Sequence, residues 1–115
     1  MDTGIVNILQ FAIDGVSAQQ NATANNLANS QTANFVGSDV SFEQSLQAAI
    51  ASPGTQTAEV TTAASPTAMA SDGNNVDLGH ELINAQDETL QYSALSESIN
   101  GQFRLISGVA GGSFQ

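Results

Sequence analysis

A repeat of apolar residues near the C-terminus limits what this chain can fold into more than any other feature. From Leu78 to about Val109, residues of one helical face recur at alternating steps of four and three. This is the spacing of a coiled-coil seam, and a helix of that length is about 48 Å long. Such a helix cannot bury its stripe alone, so we expect it to pack on the N-terminal helix, on neighbouring subunits or on both. The predicted seam consists of Leu78, Leu82, Ala85, Thr89, Tyr92, Ser96, Ile99, Phe103 and Ile106.

A second stripe lies along the first thirty residues and predicts a helix from near Gly4 to about Ser30. Its second half is rich in Gln and Asn, whose amides both donate and accept hydrogen bonds, and this indicates a polar, close-packed protein contact. Asn34 can adopt the positive φ that a turn requires, so Phe35 and Phe42 can fold back onto the helix. The stripe consists of Ile5, Leu9, Ile13, Val16, Gln20, Ala24 and Leu27.

The middle of the chain carries little pattern. Phe42 to Ala51 permits a short second helix, which Pro53-Gly54 stops. From about Ser52 to Asn75 the chain is rich in Ala, Ser and Thr, so disorder or a loosely held loop is expected, with a weakly indicated hairpin near residues 59–62. We therefore predict a mostly α-helical coiled-coil protein in three parts: residues 1–46, a low-complexity segment 47–75, and residues 76–115.

Charge and composition exclude several functions. The chain has 11 acidic residues, one basic residue and a net charge of −10, which argues against nucleic-acid binding and disfavours anionic membrane surfaces. It has no cysteine, so disulfides and thiolate sites are excluded. No apolar run approaches the roughly 20 residues that span a bilayer, so we expect no direct membrane insertion. An N-terminal basic and apolar signal is absent, so we expect no cleaved signal peptide.

Candidates for catalysis are few. His80 is the only histidine and lies in the first turn of the predicted C-terminal helix, which indicates an exposed residue rather than a metal ligand. Asp87 and Glu88 are adjacent and point about 100° apart around a helix, so they do not form a paired-carboxylate site. Asp39 and Glu43 are interpreted as solvated charges. We predict no enzyme activity, no cofactor and no metal site.

Two segments resemble a known family. The run from Asn26 to Phe35 is similar to the Asn-x-Ala-Asn-x-x-Thr-Pro-Gly-aromatic signature that follows the N-terminal helix in flagellar rod, hook and hook-associated proteins. The segments 72–81, 90–92 and 103–106 resemble the C-terminal helix of rod proteins of that family. Two departures are that Ala33-Asn34 replaces the Pro-Gly pair, and Val36-Gly37 replaces the usual basic residues after the aromatic.

The resemblance implies a structural subunit of the proximal rod in the bacterial flagellar basal body. It implies export through the flagellar type III apparatus, a periplasmic location, and a tube wall of packed terminal helices. The partners would be copies of the chain and other rod and export-gate-adjacent proteins. The alternative is a soluble helical binding module or export chaperone of the flagellar system. The predicted assembly residues are Leu9, Val16, Asn26, Leu27, Asn29, Thr32, Phe35, Asn75, Val76, Asp77, Leu82, Tyr92, Ile99 and Phe103.

Overall fold

Two long helices, one from each end of the chain, form the body of the protein. The structure is a computed structural model and describes residues 3–52 and 59–110. Its elements, in chain order, are α1 (Thr3–Ala28), β1 (Ser38–Ser41), α2 (Glu43–Ala51), β2 (Thr61–Ala64) and α3 (Leu78–Ala110). The prediction of a mostly α-helical protein with long terminal helices is confirmed.

The two long helices lie against each other in antiparallel directions. Thr23 of α1 donates its hydroxyl hydrogen to Glu88 of α3, with 3.0 Å between the oxygens. Leu95, two turns further along α3, packs against a cluster that includes Val16, two turns earlier in α1. The C-terminal end of α1 therefore lies beside the N-terminal end of α3.

The apolar core is small and lies where α2 and its preceding strand cross α1. Its buried members are Ala12, Val16 and Phe42. The Phe42 ring lies directly on Gly15, where an added Cβ would come within 2.4 Å of the ring. Phe42 also contacts Phe11 edge to face, with ring centroids 5.9 Å apart. The prediction that Phe42 folds back onto the N-terminal helix is confirmed.

The middle segment contains more structure than its composition indicates. The predicted short helix is present as α2, and it continues across the predicted boundary at residues 46 and 47. β2 pairs in antiparallel fashion with β1, with Ser38 opposite Ala64 and Ser41 opposite Thr61. The predicted hairpin near residues 59–62 was therefore wrong in its partner, because the strand there pairs with β1 across α2. The predicted helix stop at Pro53-Gly54 lies outside the described residues.

The face of α3 that lies against α1 begins with polar residues and not with the predicted seam. Glu81 and Glu88 are buried, whereas Leu82, one residue after Glu81, is 51% exposed. A step of one residue turns a helix by about 100°, so the predicted seam lies beside this face. In the second half of α1, Thr23 presents a hydroxyl group to this face and hydrogen bonds to Glu88 of α3. Towards the C-terminus of α3, residues of the predicted seam come closer to the face that lies against α1, and two of them, Ile99 and Ile106, are half-buried.

Candidate functional site

The two family-like segments meet at the end of the helix pair where α1 ends and α3 begins. Three asparagine side chains are buried there: Asn26, Asn74 and Asn75, with exposed fractions of 1%, 4% and 3%. A buried amide costs free energy unless it is hydrogen bonded, so each of these side chains requires partners. We call this group, with Asn29, the polar junction.

Asn26 attaches α1 to β1. Its Nδ2 donates to the carbonyl of Ser38, and its Oδ1 accepts from the backbone N–H of Ser38, both at 2.9 Å. The side chain thereby pairs with Ser38 as the backbone of a neighbouring strand would. Gly37 leaves the necessary room, since a Cβ there would lie 3.2 Å from Asn26 Oδ1.

Asn74 and Asn75 attach the start of α3 to the two other parts of the junction. Asn74 Nδ2 donates to the carbonyls of Asn29 and Thr32 at 2.8 Å, which satisfies acceptors just beyond α1. Asn75 Oδ1 accepts from Gly37 N at 2.7 Å, and its Nδ2 donates to the Ser65 carbonyl at 2.9 Å. One asparagine pair thus connects α1, β1 and the segment after β2.

Two residues with positive φ shape the turn at the junction. Asn34 has φ of 64°, as the sequence predicted, and its N–H donates to the Asp72 carbonyl at 2.9 Å. Gly73 has φ of 82°, and a Cβ there would lie 2.4 Å from Asn34 Oδ1. Asp72-Gly73 of the C-terminal family-like segment therefore contacts the Ala33-Asn34 turn of the N-terminal one.

The junction changes the interpretation of some predicted assembly residues. Asn26 and Asn75 are buried and bonded within the chain, so in this structure they hold the chain's own elements together. Val16 is buried in the core. Asp77 caps α3, as its Oδ1 accepts from the N–H of His80 at 3.2 Å. Asn29 bonds within the junction, to the Asn25 carbonyl at 2.9 Å.

The other predicted assembly residues retain accessible surface. Thr32, on the turn after α1, is exposed, whereas four others are half-buried: Leu9, Leu27, Phe35 and Val76. These residues lie along α1 and around the junction.

Outside its contact with α1, α3 carries exposed apolar side chains, which we call the outer stripe. They occupy more than one side of the helix, since Leu90 and Tyr92 are two residues apart and therefore point about 160° apart. Leu82, Tyr92 and Phe103 of the predicted seam are exposed, by 51%, 39% and 46%. Leu82 and Leu90 border a shallow groove of about 520 Å³. Exposed apolar surface of this extent on one element is typical of a protein contact. The outer stripe comprises Leu78, Leu82, Ile83, Leu90, Tyr92, Phe103 and Leu105.

Sequence reasoning missed an acidic cavity between α1, β1 and α3. Glu81, Asn84 and Glu88 lie on one face of α3, and their spacing of three and four residues could have indicated this. The cavity measures about 350 Å³ and is lined by five carboxylates, those of Asp39, Glu43, Glu81, Asp87 and Glu88. Asp39 and Glu43 are exposed, as solvated charges are expected to be, and they also line this cavity with three other acids.

Two of these carboxyl groups have shifted pKa values. Burial raises the pKa of Glu88, and the charges of Glu81 and Asp87 add to this, against a lowering by the Thr23 hydroxyl. For Glu43, burial also acts upward, but hydrogen bonds from the backbone of Phe42 and from the Gln19 side chain leave its pKa lowered. As pH falls, the Glu88 carboxyl is therefore protonated at a higher pH than the Glu43 carboxyl.

The described residues offer no sign of metal or membrane chemistry. Within 3–52 and 59–110, no three His, Asp or Glu side chains are arranged to hold a metal ion. In the same ranges, no helix combines the length and apolar character that crossing a bilayer requires.

Comparison with known proteins gives one informative match. No family model matches the chain. The flagellar basal body rod protein FlgB of Bacillus subtilis (strain 168) is 28% identical over 123 aligned positions, covering 96% of this chain and 95% of FlgB. The resemblance to FlgB-type rod proteins is confirmed. Because the match with FlgB covers both chains almost end to end, it includes the polar junction, the middle segment and the outer stripe.

Proposed function

We propose that this chain is a structural subunit of the proximal rod in the bacterial flagellar basal body. The observation that carries the proposal is the match to FlgB across 96% of the chain. The fold supports it, because the described elements are two long helices with a small core and an exposed apolar surface. Such a subunit contributes to the drive shaft for motility by packing, and this role requires no catalytic group or cofactor.

Assembly would use the outer stripe of α3. The polar junction fixes α1 and α3 at one end, so the stripe is presented on a preformed helix pair. Each square ångström of apolar surface that a neighbour covers stabilises the assembly by about 25 cal/mol. Leu82, Tyr92 and Phe103 would supply this contact, with Ile99 at the edge, in coiled-coil packing between subunits. Leu9, Leu27, Thr32 and Phe35 would contribute from α1 and the turn after it.

The neighbours would be copies of this chain and other rod proteins, including those next to the export gate. The chain would reach the periplasmic rod through the flagellar export apparatus without cleavage of a signal peptide. A binding module or export chaperone with the same helices would instead form a small complex of fixed stoichiometry.

Replacement of single stripe residues in the bacterium tests the proposal. Leu82→Asp and Phe103→Asp should each prevent recovery of the subunit in purified basal bodies and abolish motility, because a charge would be buried at a subunit contact. Both side chains are about half exposed in the isolated chain, so the purified variants should keep the wild-type helical circular dichroism.

Gln44→Asp is the control, since it adds the same charge at an exposed polar position of α2, outside the stripe. It should leave basal bodies and swimming unchanged. Normal basal bodies with both Leu82→Asp and Phe103→Asp would refute assembly through the outer stripe. Recovery of the wild-type chain only in a small soluble complex would favour the chaperone alternative.

A further inference from the structure

The two edges of the small β1–β2 sheet have different surroundings. On the β1 edge, side-chain amides of α1 take the place of a further strand. Asn26 bonds both backbone groups of Ser38, and this lies beside a second such bond. In that second bond, Gln19 Nε2 donates to the Val40 carbonyl at 3.1 Å. Since Gln19 and Asn26 are seven residues apart, they lie on one face of α1 and together cover this edge of the sheet.

The outer edge of β2 has no such cover. Ser65 N donates to the carbonyl of Gly37, its partner in the register, at 2.8 Å, so every second residue before Ser65 directs its backbone groups towards β1. The residues between them, Thr62 and Ala64, therefore direct their N–H and C=O groups away from β1. Both residues are exposed, and these groups have no hydrogen-bond partner within residues 3–52 and 59–110.

This edge also lacks the features that usually keep edge strands from pairing. Natural edge strands are protected by charged side chains, by proline or by a bulge. β2 has none of these, and no charged residue occurs from position 60 to position 71. Each chain carries a net charge of −10, so two copies repel each other least where both surfaces are uncharged. The outer edge of β2 is such a surface.

We propose that β2 pairs in antiparallel fashion with β2 of a second copy of the chain, about a two-fold axis at Ala63. In this register Thr62 of each copy lies opposite Ala64 of the other, and these are the residues whose backbone groups point outward. Four hydrogen bonds then join the copies in one four-stranded sheet, whereas a two-stranded sheet is only marginally stable. Asp39 lies opposite Ala63 on β1, so the two Asp39 residues are about 14 Å apart and largely screened.

This pair is a state of the chain outside the rod. A two-fold contact closes on itself, whereas a filament grows through contacts that repeat from one subunit to the next. The inference does not rest on the proposed function and uses no residue of the outer stripe. Because a four-residue edge covers little area, we expect a weak and reversible dimer, which a covalent cross-link can trap.

Single cysteines on β2 test the proposed register, since the chain has no cysteine of its own. At the two-fold axis the Ala63 residues form a pair without mutual hydrogen bonds, with Cα atoms about 4.5 Å apart, and a disulfide can span this distance. The full-length chain with Ala63→Cys should therefore form a disulfide-linked dimer in a glutathione redox buffer, measured by non-reducing electrophoresis.

Thr61→Cys is the matched control. Thr61 is also exposed and lies on the same face of the same strand. Its counterpart in the second copy is displaced by four residues, about 14 Å along the strands. We expect this variant to cross-link at least about tenfold more slowly, because Cα atoms more than about 7 Å apart cannot be bridged. Each rate is divided by the rate at which the same thiol reacts with a soluble aromatic disulfide, which corrects for differences in thiol exposure.

A second pair of variants removes or keeps one backbone donor of the contact. In the Ala63→Cys chain, Thr62→Pro deletes an N–H that points away from β1, and an edge strand tolerates proline at such a position. Cross-linking should slow by about tenfold, since two hydrogen bonds of the dimer are lost. Thr62→Val keeps the N–H and the β-branched shape, so it should leave the rate unchanged.

Three results would overturn the inference. They are equal cross-linking of Ala63→Cys and Thr61→Cys, cross-linking that Thr62→Pro does not slow, and cross-linking of Ala63→Cys to a different protein in purified basal bodies with none to a second copy. The test is separate from that of the proposed function. If Ala63→Cys forms no dimer while Leu82→Asp still blocks basal-body recovery, the inference falls and the proposed function stands.

Discussion

The close contact between Gly15 and Phe42 leads to a prediction in which two opposing effects can be weighed. Gly15→Ala improves helix propensity by about 1 kcal/mol, because glycine is a poor residue in a helix interior. The added Cβ, however, would lie 2.4 to 2.6 Å from three atoms of the Phe42 ring. One of them is Cγ, so rotation of the ring cannot remove the clash, and Phe42 must leave the core.

The loss outweighs the gain. Removing a buried phenylalanine from a core typically costs about 3 to 5 kcal/mol. Subtracting the helix gain leaves a predicted loss of about 2 to 4 kcal/mol in the free energy of unfolding. That is a large part of the stability of a small domain, and here the core has few other members.

Gly101→Ala is the matched control. Gly101 lies within α3, and a Cβ there would meet only the end of the Arg104 side chain, at 3.9 Å. It should raise the free energy of unfolding by about 0.5 to 1 kcal/mol. The two substitutions are chemically identical and should have opposite signs.

Urea unfolding followed by circular dichroism at constant sucrose concentration measures both effects, since sucrose favours the folded chain. In a Phe42→Ala background the clash is absent, so Gly15→Ala should there stabilise as Gly101→Ala does. A Gly15→Ala chain at least as stable as the wild type would refute the packing argument.

Three further predictions use the same assay. Asn26→Ala should lower the free energy of unfolding by about 2 to 4 kcal/mol, because the two hydrogen bonds of a buried side chain are lost. Asn25 is exposed, so Asn25→Ala should change the free energy of unfolding by less than about 0.5 kcal/mol, and equal effects of the two substitutions would contradict this. Gly73→Ala should cost about 1 to 3 kcal/mol through its φ of 82° and its clash with Asn34, and an unchanged urea midpoint would show that the turn adapts. Glu88→Gln should raise the free energy of unfolding at neutral pH. This stabilisation should fade as pH falls through the raised pKa of Glu88 towards the ordinary value of 4.5, because Glu88 of the native wild type is protonated at a higher pH than Glu88 of the unfolded chain. A stabilisation that does not change with pH would count against an unpaired buried charge.

The sequence predicted the elements that depend on local pattern. Helix α2, the positive φ of Asn34 and the packing of Phe42 followed from apolar spacing and turn chemistry. The burial of Asn74 and Asn75 could not be predicted, since it depends on the carbonyl of Asn29 and the N–H of Gly37, about forty positions earlier. Periodicity identifies a face of a helix, but hydrogen-bond partners distant in the chain are not visible in it.

The inward face of α3 illustrates the same limit. The most apolar repeat was expected to pack on the N-terminal helix, on neighbouring subunits or on both, and hydrophobicity alone does not decide between them. What decided the rotation of the helix was the polar surface of α1, on which Thr23 meets Glu88. Sequence reasoning ranked residues by apolar character, whereas in the structure polar Thr23 meets Glu88 and Leu95 packs on the apolar cluster that includes Val16.

The contacts that close the polar junction also suggest an order of folding. Asn26 and Ser38 are separated by 12 residues, Gly37 and Asn75 by 38, and Thr23 and Glu88 by 65. Closing the longest of these loops directly costs about 1.5 kcal/mol more entropy than closing the shortest. Once the first two contacts have formed, however, Glu88 is already close to Thr23. We therefore expect the chain to close stepwise from the junction, with the free ends of α1 and α3 joining last.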